Sequence, residues 1–276
     1  MINLFNYIEK DSPIHRLSGA TKLSTLIILT FAAMTTYDTR FLLALTLSAL
    51  VVFRLSKIRL GEVKVLFAFT FAFMVLNNVL IYLFSPEHGV TIYGTRHVLL
   101  TGLGRWTVTE EQLFYHLNVI LKYLATIPFV ILFISTTDPS EFASSLNRIG
   151  VNYRIAYSVS LALRYIPDIQ REYREISMSQ QARGLEMAAK KQRLIKRLKN
   201  AVEILFPLVI SSMDRIETIS NAMELRGFGK KRKRTWYSAR PFRGSDWAAL
   251  IISVLCLGVS ISLNFVNGGR YYNPFI

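Results

Sequence analysis

The feature that most constrains this chain is the run Val65–Phe84, twenty residues without a single charge. Coiled as a helix it spans about 30 Å, the thickness of a bilayer's hydrocarbon core. Leu117–Ser135 and Ala248–Val266 have the same character, with Lys122 the only charge between them. Two shorter runs, Leu23–Tyr37 and Phe41–Phe53, flank Asp38-Thr39-Arg40, which no single helix would hold at mid-membrane. They read as a tight helical hairpin. The expectation is an all-α integral membrane protein with about five transmembrane helices. Composition agrees, since the chain is 51% apolar and 18% charged, where a soluble domain carries about 25% charged residues. Its one cysteine, Cys256, cannot form an internal disulfide and lies in an apolar run as a buried small residue. Glu9, Asp11 and Pro13 precede the first apolar run, so no cleavable signal is expected there.

Lysine and arginine counts set the orientation. Along successive connecting segments they read 3, 1, 4, 2, 21 and 1, the alternation that positive-inside topology demands of five spans. The N-terminus and residues 136–245 are therefore assigned to the cytoplasm. This divides the chain into residues 1–135 with the first four spans and an external loop 85–111, a cytoplasmic segment 136–245, and residues 246–276 with the last span and an external tail. In the loop, Thr91-Ile92-Tyr93-Gly94, His97–Thr101 and Gly102–Thr109 read as a small β-rich hairpin, and Thr109 with Gln112 as a capping box. His88 and His97 lack ligand spacing, and no metal site is assigned.

The cytoplasmic segment is the most informative. Asp138-Pro139-Ser140-Glu141 opens a short helix with an N-cap acid, a proline at the first helical position and a glutamate at N3, and Gly150 ends it. In the next helix Ile155, Val159, Ala162, Ile166, Ile169, Tyr173 and Ile176 alternate steps of four and three, so they share one face. Such a seam packs on another helix or on the underside of the membrane domain; a coiled-coil dimer is the alternative. Pro167 predicts a kink. A basic run (Lys190, Lys191, Arg193, Lys196, Arg197, Lys199) suits anionic headgroups better than nucleic acid, because no aromatic or glycine pattern of a nucleic-acid module accompanies it. A second long helix repeats the design with Val202, Leu205, Val209, Met213, Ile216, Ile219 and Met223 on its apolar face and Pro207 as its kink. The prolines are 40 residues apart and the terminal Arg-Gly pairs, Arg183-Gly184 and Arg226-Gly227, are 43 apart. An arginine in the last turn complements the helix dipole, and the glycine after it permits a left-handed cap.

Taken together, Leu17–Leu23, Thr136-Thr137-Asp138-Pro139, Ser160–Pro167, Gln181–Gly184 and Ala222–Gly227 resemble the T component, the transmembrane coupling subunit, of energy-coupling-factor importers of vitamins and metal ions. The resemblance covers nearly the whole chain. It implies a bacterial plasma-membrane protein without catalysis or cofactor of its own. Ala182-Arg183-Gly184 and Leu225-Arg226-Gly227 would insert into grooves on two ATP-binding-cassette ATPase subunits, and Leu225 departs from the usual alanine. The apolar faces, Ile155, Val159, Ile166, Ile169, Tyr173 and Ile176 on one helix and Val209, Met213, Ile216 and Met223 on the other, would meet a separate substrate-binding S subunit. Met178, Met187, Met213 and Met223 offer adaptable contacts. The chain has no phosphate-binding Gly-x-x-x-x-Gly-Lys loop and no His-Glu-x-x-His motif. Its intramembrane polar residues read as Asn77, Asn78 and Lys122, the last able to snorkel. The competing reading is a stand-alone permease or channel with a regulatory cytoplasmic insert, for which the asparagine pair is the only polar path in view.

Overall fold

The computed structural model describes residues 10–100, 106–185, 194–230 and 235–275. The protein is an all-α membrane protein. Its elements run α1 (Gly19–Thr35), α2 (Thr39–Leu55), α3 (Leu60–Phe84), α4 (His88–Tyr93), β1 (Val98–Leu100), β2 (Val108–Thr109), α5 (Glu110–Thr136), α6 (Pro139–Arg148), α7 (Tyr153–Ala182), α8 (Leu194–Leu225) and α9 (Gly244–Val266). The chain forms two units, residues 1–145 with 239–276, and residues 146–238.

In the first unit, α3, α5 and α9 are long and apolar enough to cross a membrane, whereas α1 and α2 have 17 residues each. Helix α5 is the hub, packing on α1, α2, α3 and α4, while α1 also packs on α9. Helices α1 and α2 are separate, joined by residues 36–38, and both pack on α5; Thr36 and Asp38 are extended, and Asp38 starts α2 as its N-cap. One core cluster joins Leu29, Ala32, Leu42, Leu45, Leu121 and Ala125.

Buried carboxylates tie the helix ends together. Glu141 accepts the Gly19 N–H at 2.7 Å, and Asp246 accepts those of Ser18 at 2.8 Å and Arg243 at 2.7 Å. Both acids thus meet the positive end of a helix dipole. Glu141 was expected to cap its own helix, but Asp138 alone does so, accepting from Ser140 N–H at 2.8 Å. Glu141 is spent instead on α1, which approaches so closely that a Cβ on Gly19 would lie 2.6 Å from Ser145 Oγ. At the other end of α1, Arg270 donates to the carbonyls of Thr35 (3.1 Å) and Met34 (2.7 Å), which lack helical partners. Asp38 caps α2, pairs with Arg40 at 2.8 Å and accepts from Asn267 at 2.9 Å.

The external loop departs from its expected β-rich form. Thr91–Tyr93 belong to α4, which Gly94 closes in a left-handed cap at φ 72°. Only Val98–Leu100 and Val108–Thr109 pair, antiparallel. Residues 101–105 of the expected hairpin lie outside the described residues, as do Met187, Lys190, Lys191 and Arg193. Thr109 Oγ1 accepts the Gln112 N–H as expected, but the Gln112 side chain accepts from Gly89 N–H at 2.8 Å.

The intramembrane polar inventory is larger than expected. His116 joins Asn78 at 2.9 Å and Gln112 at 3.0 Å. Since Gln112 Oε1 is taken by Gly89, its amide donates to His116 Nε2, and His116 Nδ1–H donates to Asn78. The Asn78 amide donates to the Met74 carbonyl at 2.9 Å, so the chain of bonds ends on the backbone of α3. Lys122 is buried, its ammonium 3.2 Å from the centre of the Tyr37 ring, rather than reaching water.

Candidate functional site

The second unit is built on α7 and α8. Asn152 caps α7 by accepting the Arg154 N–H at 3.0 Å. Pro167 and Pro207 both stand inside helices that run on through them. The helices run antiparallel. Glu172 on α7 accepts from Ser211 and Arg215 on α8, and the Arg215 guanidinium lies 5.9 Å from the Tyr165 ring centre. At the far end Phe228, just past α8, stacks 4.8 Å from Tyr157 near the start of α7. Arg154 donates to the Gly229 carbonyl at 3.0 Å, and Trp236 packs on Tyr153 at 5.8 Å. No sequence pattern announced this aromatic cluster, because its members come from three separate stretches.

The contact between the helices lies off the expected apolar stripes. On α8 Ser211 and Arg215 meet Glu172, and Ile204 and Leu208, on the same row of the helix, are buried. The stripe residues stay largely uncovered. Ile155 is 58% exposed, and Ile166, Ile169 and Tyr173 are exposed with it; Val159 and Ile176 are half-buried. On α8 Met213 is 63% and Ile216 64% exposed, Val209 is exposed, and Met223 is half-buried. Self-packing therefore does not account for the stripes. A cleft of about 570 Å³ opens between the helices, lined by Leu161, Tyr165, Ile216, Met223 and Phe228.

Both Arg-Gly pairs end their helices by the same backbone device. After α7, Leu185 N–H donates to the Gln180 carbonyl at 3.0 Å and Gly184 N–H to that of Gln181 at 3.0 Å. After α8, Phe228 N–H donates to Met223 at 2.9 Å and Gly227 N–H to Glu224 at 2.8 Å. These are Schellman closures, and they place Gly184 at φ 94° and Gly227 at φ 66°. The geometry alone is not distinctive, since Gly150 closes α6 in the same way at φ 109°. What singles out 183 and 226 is the arginine immediately before the glycine. Ala182, Arg183 and Gly184 are exposed, as are Leu225 and Arg226, while Gly227 is half-buried.

The antiparallel arrangement puts the two ends far apart. Arg226 lies next to the start of α7, through the contact of Phe228 with Tyr157, whereas Arg183 caps its end. Along α7 that separation is about 40 Å. Each guanidinium is a planar five-donor fork suited to bidentate contact with a carboxylate.

The family model CbiQ, described as cobalt transport protein, matches residues 10–237. The chain is 28% identical over 261 residues to the energy-coupling factor transporter transmembrane protein EcfT of Streptococcus thermophilus, covering 92% of this chain and 94% of that one. It is 29% identical over 274 residues to EcfT of Thermanaerovibrio acidaminovorans, covering 94% and 95%. With EcfT of Bacillus subtilis the identity is 25% over 264 residues, covering 91% and 93%.

Proposed function

The chain belongs to the CbiQ family and is a multi-pass membrane component of an energy-coupling-factor transporter, and from this premise we propose that it couples two ATP-binding-cassette ATPase subunits to a separate membrane-embedded S subunit that binds a vitamin or other micronutrient. The observation that carries this is the pair of Arg-Gly helix ends at opposite ends of one antiparallel helix pair. A separation of about 40 Å suits two ATPase subunits, one per end, and not one groove. Arg183 and Arg226 would each engage acidic groups of an ATPase. The uncovered stripes of α7 and α8 would meet the S subunit, because apolar patches of this size rimmed by charge mark protein interfaces. ATP binding would close the ATPase pair, move both helix ends, and pass that motion through α7 and α8 to the S subunit. The N-terminus and residues 136–245 face the cytoplasm in this reading. The chain performs no chemistry, and hydrolysis belongs to its partners.

A tagged pull-down in mild detergent from the native host tests it, comparing wild type with Arg183→Glu/Arg226→Glu. Recovery of ATPase subunits with wild type alone supports the assignment. Recovery with both, or with neither, overturns the docking role of these arginines.

A further inference from the structure

A cavity of about 260 Å³ lies among α1, α2, α5 and α9, at the end of the bundle where α1 and α9 begin and α2 and α5 finish. Its walls are apolar, formed by Leu26, Leu29, Leu45, Val52, Leu132 and Ile252. Protein interiors hold few voids larger than a water molecule, and apolar voids of about 150 Å³ stay dry and accept a hydrophobic guest. From Lys22 at its rim to Leu29 the cavity runs about 10 Å along α1, two-thirds of the depth of one leaflet's hydrocarbon of about 15 Å.

The rim is polar in an unusual way. Several threonine hydroxyls in these helices bond back to the preceding turn: Thr46 to Leu42, Thr70 to Leu66 and Thr126 to Lys122. Ser253, in the cavity wall, does likewise with Leu250. Thr25 Oγ1 and Thr136 Oγ1, both lining the cavity, are buried without any partner, and Thr136 is itself fully buried. Lys22 also lines the cavity; its ammonium donates to the Thr136 carbonyl at 2.7 Å and forms no ion pair among the described residues. The nearby acids are engaged elsewhere, Glu141 by Gly19 and Arg240, Asp246 by Ser18 and Arg243. A buried cation with unspent donors and two unpartnered hydroxyls at the mouth of an apolar cavity call for an amphiphile with an acceptor-rich head.

We propose that this cavity holds one acyl chain of a bilayer phospholipid, with its phosphate on Lys22 and its ester oxygens accepting from Thr25 and Thr136. The site requires only that the bundle lie in a bilayer. It stands apart from the coupling role, so either can fail alone.

Native mass spectrometry of the full chain, purified in an alkyl maltoside and exchanged against micelles containing dioleoylphosphatidylglycerol, tests the proposal. Wild type is expected to retain one phospholipid. Ser253→Phe, which fills the cavity, should lose it, with unchanged helicity by circular dichroism confirming the fold. Lys22→Met should weaken retention about tenfold. No retained phospholipid in wild type, or equal retention by Ser253→Phe, overturns the proposal. So does retention only by a chain lacking residues 2–8, since the protein's own N-terminal segment would then be the occupant.

Discussion

The membrane bundle and the α7–α8 pair both leave large apolar side chains uncovered, yet the two surfaces differ in kind. On α3 the exposure covers every side except the face that packs on α5: Phe69 is 74% exposed, and Phe71, Leu76, Val79 and Phe84 are exposed with it. With no polar face opposite, the natural solvent for such a helix is lipid. On α7 and α8 the exposed apolar residues share their helices with Arg171, Glu175, Asp214 and Glu217, all exposed as well. A helix of that pattern keeps one side in water and requires a protein or interfacial neighbour for the other. The buried polar groups differ too. The bundle spends Glu141 and Asp246 on helix N-termini, whereas the α7–α8 pair is linked by Glu172 with Arg215. The bundle is held by its own packing, and the helix pair keeps an apolar face exposed.

The sharpest way to break that contrast is to place charge on the uncovered stripe. Met213→Asp/Ile216→Asp should lower S-subunit recovery at least about 30-fold, the effect of losing a hot spot worth about 2 kcal/mol. The melting temperature of the isolated chain should hardly move, because exposed substitutions cost within about 0.5 kcal/mol. If melting fell with recovery, the stripe would be internal packing after all.

Glycines sharpen the same comparison. Gly19→Ala forces a Cβ to within 2.6 Å of Ser145 Oγ and 2.7 Å of Glu141 Cγ, and overpacking of this kind costs about 1–3 kcal/mol. Bundle unfolding by denaturant in detergent would show it. Gly184→Ala meets nothing within 4 Å, but its φ of 94° disfavours a side chain, a cost of about 1–2 kcal/mol. That loss should appear as fraying at the end of α7 in hydrogen exchange, with bundle unfolding unchanged. Equal effects on the bundle would contradict the division into two units.

The smallest effect is a dependence on pH. Burial pushes the Asp38 carboxyl up, but the Arg40 guanidinium, Asn267 and the Arg40 N–H together outweigh it and hold it below its ordinary value. The folded state therefore binds that proton less readily than the unfolded chain. Its contribution is complete above about pH 4 and is lost as pH falls through the lowered value. Melting temperature measured downward from about pH 5 should drop more steeply for wild type than for Asp38→Asn, which removes the titrating group.

Much of this was legible in the residues. Apolar runs of spanning length located α3, α5 and α9, and Asp138-Pro139 located the start of α6. The Arg-Gly pairs marked where α7 and α8 stop, since a glycine in the left-handed region is a local requirement that a sequence displays directly. What was not legible depends on which side chains meet. The heptad stripes on α7 and α8 did not show that most of their residues would stay exposed while Glu172 met Ser211 and Arg215. The position of Glu141 in a first turn suggested a cap for its own helix, and only the approach of α1 diverted it to Gly19. His116 gained its role from Asn78, 38 residues away. Periodicity and caps are encoded over a few residues and can be read locally. The partner of a buried polar group, and whether an apolar face is covered, are settled by long-range packing, where several arrangements satisfy the same pattern and only the tertiary structure decides among them.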